Sequence, residues 1–331
     1  MKAIIPVAGE GTRLRPHTYT LPKVMVQVAG KPILGHIIEQ LMEDGIDELV
    51  LIVGYRGDQI REYVSEAFDL KIHVIPQEKR LGLGHAIYLA KDYMDESPSL
   101  IVLGDTIFDC SFREVFSGGK TSIGVREVED PRRFGVVKLE NNLIKGFVEK
   151  PDVPPSNLAI VGLYFIQNSK KLADALETLI VEQDKTTKGE YQLTDALQIM
   201  LEEGEEMTTF PVTNWFDCGK PETVLATNRS LLQKKSKSVV APGCIIREPV
   251  YIAENVKLVD SILGPNASIA EGSVIEESIV QDSIVNRNST VKGALLRGSL
   301  LGENSLVEGT FQSLNLGDSA QILFGKDISD L

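Results

Sequence analysis

Two hydrophobic rhythms divide the chain. From Met1 to about Lys234, short runs rich in Val, Ile and Leu alternate with longer stretches whose apolar residues recur at helical spacing. The runs predict strands over Ala3–Val7, Leu49–Val53, Lys71–Ile75, Ser99–Leu103, Ser122–Val125, Gly135–Leu139, Ile160–Ile166 and Thr208–Pro211. The stretches Ile33–Asp44, Gly57–Ala67 and Gly84–Tyr93, with Gly or Asp at their ends, predict helices. Strand and helix in alternation predict an α/β, doubly wound, Rossmann-like sheet that is mostly parallel and binds ligands at the carboxyl ends of its strands.

Beyond Lys234 the period shortens. Apolar residues recur six apart at Val240, Ile246, Ile252 and Leu258, then at Leu263, Ile269, Ile275, Val280, Val285, Val291, Leu296, Leu301 and Val307, five or six apart. Small or turn-forming residues follow them, as in Gly264-Pro265-Asn266 and Ala270-Glu271-Gly272. This predicts a hexapeptide-repeat β-helix that stacks one apolar corner on the next. A β-sandwich would place its turns about 8 to 12 residues apart. The expected division is 1–234 and 235–331, with the pattern lost in the tail from Phe311 to Leu331.

Composition narrows the partners. The 331 residues carry 47 acidic and 34 basic side chains, a net charge of −13, with 43% hydrophobic residues. An acidic surface lacks the clustered cations that nucleic acid or an anionic membrane requires, so neither is expected as a partner. Three dispersed cysteines, Cys110, Cys218 and Cys244, fit neither a disulfide framework nor a paired-cysteine metal site, and point to the reducing cytoplasm. The apolar run Ala3–Ala8 is too short for a signal sequence or a membrane span.

The first strand runs into Ala8-Gly9-Glu10-Gly11-Thr12-Arg13-Leu14, and Leu21-Pro22-Lys23 follows. Glycines after a strand let backbone N–H groups approach a polyphosphate, and Arg13 and Lys23 add positive charge. On its own the segment is equally a tight turn with two solvated bases. A dinucleotide fingerprint would need a third glycine at Leu14 and an acid after the second strand, where Gly54-Tyr55-Arg56 stands, so a dehydrogenase is disfavoured. Asp105 closes an apolar strand in Leu103-Gly104-Asp105-Thr106, and Asp217 sits in Trp215-Phe216-Asp217-Cys218-Gly219. Carboxylates of this kind suit Mg²⁺, although an isolated Asp more often serves a turn. Gln77 carries an amide that can donate and accept at a pyrimidine edge, or simply face water.

Taken together these segments, with Lys31-Pro32-Ile33, resemble the sugar-phosphate nucleotidyltransferase family over the whole chain. The likeness is nearest to long-form glucose-1-phosphate thymidylyltransferases, which add a left-handed β-helix. Ala8 stands where many members have glycine. The resemblance implies that Ala8, Gly9, Gly11, Thr12, Gln77 and Gly82 bind the nucleotide and that Arg13 and Lys23 act on its phosphates. It assigns Asp105 and Asp217 to Mg²⁺, and Gly135, Glu149, Lys150, Val161 and Gly162 to the sugar phosphate. Without it, Glu149-Lys150 reads as a solvated pair, and Glu190 to Asp195 as a helix start with a capping box. The implied substrates are an NTP, dTTP or UTP, and a hexose 1-phosphate, in a homo-oligomer joined through the β-helix. Two rivals are a catalytically silent nucleotidyltransferase-like subunit and an acyltransferase. The second is weakened because all four histidines, His17, His36, His73 and His85, precede the β-helix.

Overall fold

The structure is a computed structural model and describes residues 1–235 and 241–309. In chain order the first part contains β1 Lys2–Val7, β2 Gln27–Val28, β3 Lys31–Pro32, α1 Ile33–Glu43, β4 Glu48–Val53, α2 Gly57–Ala67, β5 Lys71–Pro76, α3 Leu83–Tyr88, β6 Ser99–Val102 and β7 Thr106–Asp109. It continues with α4 Arg113–Ser117, β8 Thr121–Glu127, β9 Gly135–Glu140, β10 Leu143–Glu149, β11 Leu158–Ile166, α5 Ser169–Glu177, α6 Leu193–Glu202, β12 Met207–Pro211, β13 Asn214–Asp217 and α7 Pro221–Lys235. The eight strands read from the sequence all form, with ends shifted by at most two residues. The helix expected over Gly84–Tyr93 breaks into α3 and a separate 3₁₀ turn at Lys91–Tyr93.

The main sheet has nine strands, running β10-β9-β11-β6-β1-β4-β5, with β8 beside β11 and β12 beside β8. The parallel reading holds for β6-β1-β4-β5 and for β12 with β8, whereas β11 pairs antiparallel with β6, β8 and β9, and β10 antiparallel with β9. Hairpin partners such as β9 and β10 need only a short turn between them, so they carry no βαβ rhythm.

Strand alternation distributes the core to both faces. Ala3, Ile5 and Val7 of β1 and Leu49 and Leu51 of β4 pack with α1, while Ile4, Val50 and Ile52 face the layer that includes α3, α5 and α6. Burial on both faces explains why these strands read as continuous apolar runs.

The second part contains three sheets of short parallel strands, each with four members. Ile245 is in register with Ile262, then Ile279, then Leu295, so one coil takes 16 or 17 residues. This fits a left-handed β-helix. Every predicted anchor from Ile246 to Val307 belongs to its core, while Val240 and the tail from Phe311 lie outside the described residues. Buried serines bond between coils: the Ser261 hydroxyl accepts from Ser278 N–H at 3.1 Å, and the Ser278 hydroxyl from Ala294 N–H at 3.1 Å. These contacts satisfy corner amides that no strand ladder reaches.

The two parts are joined by a buried interface. Asn228 on α7, fully buried, accepts from Ala29 N–H at 2.8 Å and from the Ser268 hydroxyl at 2.7 Å, and donates to the Asn266 carbonyl at 3.1 Å. Ile284 of the β-helix joins the core beneath α1 and α7. Among the described residues no helix is long and apolar enough to cross a membrane.

Candidate active site

Two cavities open along the carboxyl ends of β1, β5 and β6. The first, about 340 Å³, is lined by Ala8, Gly9, Lys23, Gln77, Arg80 and Gly82. Among the described residues, apart from its chain neighbours, nothing stands within 4 Å of where a Gly9 Cβ would lie, so its backbone is bare toward this space. Gly11 serves a different end. It is left-handed (φ 63°), a Cβ there would lie 2.8 Å from the Lys23 Cβ, and its carbonyl accepts from the Thr18 hydroxyl at 2.8 Å. Gly11 therefore lets Lys23 pass beneath the loop, and neither it nor Thr12 lines the cavity. Lys23 is only 7% exposed, and its ammonium donates to Asp105 Oδ2 at 2.5 Å.

Gln77, expected either at a base or in water, is 8% exposed and lies 3.3 Å from His85 Nδ1 through its amide nitrogen. Burial, with Lys79 nearby, lowers the His85 pKa, so the neutral ring accepts from the amide and leaves the Gln77 carbonyl oxygen free of that bond. Gly82 is required by packing: at φ 112° its Cβ would stand 2.5 Å from the Tyr191 carbonyl.

The second cavity, about 290 Å³, is lined by Gly135, Glu149, Lys150, Val161, Gly162 and Trp215, together with Asp105 and Asp217. Glu149 is not the solvated residue its charged surroundings suggest. Its carboxylate accepts from the Thr194 hydroxyl at 3.1 Å and lies in an ion pair 3.3 Å from Lys150 Nζ, and its side chain is 11% exposed. Gly162 (φ 83°) occupies the bulge where β11 shifts register against β8, and a Cβ there would lie 2.7 Å from Leu103. Phe134 packs edge-on against Trp215 with ring centroids 5.1 Å apart.

The cavities share a wall that includes Asp105 and Glu190. Asp217 ends β13, opposite Thr106 of β7, and Cys218 N–H donates to the Asp105 carbonyl at 3.1 Å, which holds the two acid-bearing segments side by side. Arg13 lines neither cavity. Its guanidinium converges with Asp217 above Gly219, whose Cβ would stand 2.8 Å from each. Among the described residues no cluster of three or more potential metal ligands occurs. Two hard carboxylates at the cavity junction still fit Mg²⁺, which takes the rest of its shell from substrate phosphates and water.

The capping box expected at Glu190–Asp195 is absent. α6 begins at Leu193, its N-cap Gln192 makes no side-chain cap, and Glu190 instead accepts from the Gln192 amide at 3.2 Å while lining both cavities. Arg80 and Arg133 also reach the cavities, and Lys188 donates to the Lys150 carbonyl at 2.5 Å. None was singled out from the sequence, because each stands among loop charges that are usually solvated.

Fold and site define an α/β enzyme in which two cavities share a wall at Asp105, with Asp217 beside it in the second. The chain belongs to the nucleotidyl transferase family, which it matches over residues 2–234. It is 35% identical over 268 residues to the low-salt glycan biosynthesis nucleotidyltransferase Agl11 of Haloferax volcanii, spanning 77% of this chain and 73% of that one. It is 30% identical over 300 residues to a glucose-1-phosphate thymidylyltransferase of Streptomyces griseus, spanning 82% and 83%. The match to the bifunctional protein GlmU of Methanocaldococcus jannaschii is 38% over 260 residues, 77% of this chain but 60% of that longer protein. Among solved structures, one from Bacillus anthracis, described as a candidate glucose-1-phosphate thymidylyltransferase with sucrose, matches with a TM-score of 0.62 at 26% identity, over 72% of this chain and 98% of that one.

Proposed function

We propose that the protein transfers a nucleotidyl group from an NTP, dTTP in the first instance, to a hexose 1-phosphate, glucose 1-phosphate in the first instance, giving an NDP-sugar and pyrophosphate. The observation that carries this reading is the shared wall at Asp105. One cavity offers an amide, bare backbone and cations to a nucleotide, the other a carboxylate and a lysine to a phosphorylated sugar. The names of the Streptomyces relatives support the choice of dTTP and glucose 1-phosphate. UTP is the alternative, because a Gln77 amide meets the pairing edge that thymine and uracil share.

An oxygen of the sugar phosphate attacks the α-phosphorus, a new P–O bond forms, and the bond to pyrophosphate breaks. With a second pKa of about 6, that phosphate is already largely dianionic at neutral pH, so a general base adds little. The protein's contribution is alignment and charge neutralisation. In this reading Gln77 and Gly82 face the base, Ala8, Gly9 and Lys23 border the triphosphate, Gly11 and Thr12 shape the loop that carries them, and Arg13 approaches from beside Asp217. Glu149, with Gly135, Val161 and Gly162, holds the sugar, and Lys150 holds its phosphate. Asp105 and Asp217 would hold Mg²⁺, which screens phosphate charge when bound. Pyrophosphate release across a matrix of NTPs and sugar 1-phosphates tests the reading. Turnover is expected with a pyrimidine triphosphate and a hexose 1-phosphate, and NTP binding without pyrophosphate release would make the chain a silent relative.

We further propose that 1–234 is the catalytic domain and 235–331 the β-helix domain, and that the β-helix joins two copies of the chain. One of its faces packs on α7, and another carries Lys257, Glu276 and Lys292 in ion pairs. The third presents Ile245, Ile262, Ile279 and Leu295 as one outward stripe, with Ile245 56% and Leu295 76% exposed. Asp260 and Glu277 precede the stripe strands and Arg247 and Arg297 lie on their far side. A twofold axis parallel to the β-helix axis would set each acidic edge against the partner's basic edge. The unpaired thiols of Cys110, Cys218 and Cys244 are compatible with a cytoplasmic location.

A further inference from the structure

Glu10 is an acid in a loop that the proposed function gives to a polyphosphate. Its carboxylate is bracketed by two guanidinium groups. Arg80 Nη1 pairs with Oε1, and Arg15 Nη2 lies 3.5 Å from Oε2. Arg80 belongs to the loop between β5 and α3 and lines the first cavity, between Gln77 and Gly82. Glu10 follows Gly9 at the end of β1. The Glu10–Arg80 pair thus bridges two loops that flank the same cavity. This pairing with Arg80 is also the main reason the Glu10 carboxyl lies below the ordinary range, so the carboxylate stays charged at neutral pH.

We propose that Arg80 reads the length of the nucleotide's phosphate chain, and that Glu10 is a built-in anion that holds Arg80 until phosphate replaces it. The inference rests on the first cavity being the nucleotide side. A guanidinium forms its strongest pairs with planar or tetrahedral oxyanions, and a terminal phosphate offers more charge and more acceptors than one carboxylate. Gln77, Arg80 and Gly9 line the same cavity and Gly9 precedes Glu10, so a nucleotide with its base at Gln77 and its phosphates toward Gly9 would bring charge nearer the Glu10–Arg80 pair with each added phosphate. Opening the ion pair opposes binding of every nucleotide that draws on Arg80, and only a chain long enough to supply a new acceptor recovers the loss. Discrimination then arises as a difference between two competing partners of one side chain. Glu10 acts here as a positioning residue. It keeps Arg80 over the cavity in the free protein instead of leaving a long side chain to search solvent.

The test is direct binding of dTTP, dTDP and dTMP, with Mg²⁺ and without sugar phosphate, to the full chain by calorimetry, repeated with the uridine series. Arg80→Ala is expected to weaken dTTP about tenfold, as for loss of one charge-assisted phosphate contact, and to leave dTMP unchanged. Glu10→Gln is expected to tighten dTTP by up to about fivefold, the scale of an exposed ion pair, and to do nothing in the Arg80→Ala background. Arg80→Lys should recover part of the loss, and unchanged thermal midpoints would show that each variant folds. Equal weakening of dTTP and dTMP by Arg80→Ala overturns the inference, as does a Glu10→Gln effect of the same size with and without Arg80. Failure of the wild type to bind any pyrimidine nucleotide overturns the proposed function and this inference together. Binding whose preference for triphosphate survives Arg80→Ala overturns this inference alone.

Discussion

The α/β part and the β-helix solve opposite problems. In the β-helix each residue meets neighbours about one coil away, so the same positions recur as anchors: Leu263, Val280 and Leu296 stack on one sheet. In the α/β part, the residues that meet at the site come from distant segments. Lys23 meets Asp105, Glu149 meets Thr194, and Gly82 meets Tyr191. A repeat forms faces that can bury another surface, whereas strand-end loops converge unlike groups on one point. In the proposed reading, chemistry therefore collects in the first part and assembly in the second.

The sharpest way to break this contrast is to remove a strand-end cation. Lys23→Ala is expected to lower the rate of pyrophosphate release on the order of 10²- to 10³-fold, the cost of losing one group that stabilises developing charge. The self-association of the protein should be unchanged. If the rate stays near wild type, convergence at Asp105 is not where the chemistry resides.

The second test concerns the seam. Asn228→Ala leaves Ala29 N–H and the Ser268 hydroxyl without their acceptor inside the protein. A loss of about 1–3 kcal/mol in unfolding free energy is expected, together with a split of the calorimetric transition into two as the parts uncouple. A single transition at the wild-type temperature would mean that Asn228 does not couple them. The smallest catalytic effect is expected from Leu295→Lys, which places a charge on the exposed stripe. Its mass by light scattering should fall to that of a monomer while kcat and KM hold, and an unchanged mass would move the interface elsewhere.

The same contrast governs what could be read from the sequence. The β-helix was legible because one short period sets its burial, and the described anchors all point inward. Strands such as β1 and β4 were legible because both faces are buried. The serine links at Ser261 and Ser278 were not, because a hydroxyl that accepts from the next coil looks in sequence like any turn serine. At the site, Gly82 and Gly162 were reached only through the family resemblance, because the surfaces that require them, at Tyr191 and Leu103, are distant in the chain. Arg80 was hidden among loop charges, and only its position opposite Glu10 distinguishes it. The failed capping box shows the converse error: a local motif at Glu190 yielded to the tertiary requirement that this segment pair with the glycine loop at Leu81 and Gly84.

The central claim is that one cavity holds the nucleotide, the other holds the sugar phosphate, and Asp105 stands between them. Separate KM values for the two substrates in Gln77→Ala and Glu149→Gln test it most directly. Gln77→Ala is expected to raise the KM for the NTP on the order of tenfold, the scale of one lost buried hydrogen-bonding partner, and to leave the sugar phosphate KM unchanged. Glu149→Gln should do the reverse. Both variants raising the KM of the same substrate would contradict the two-cavity account.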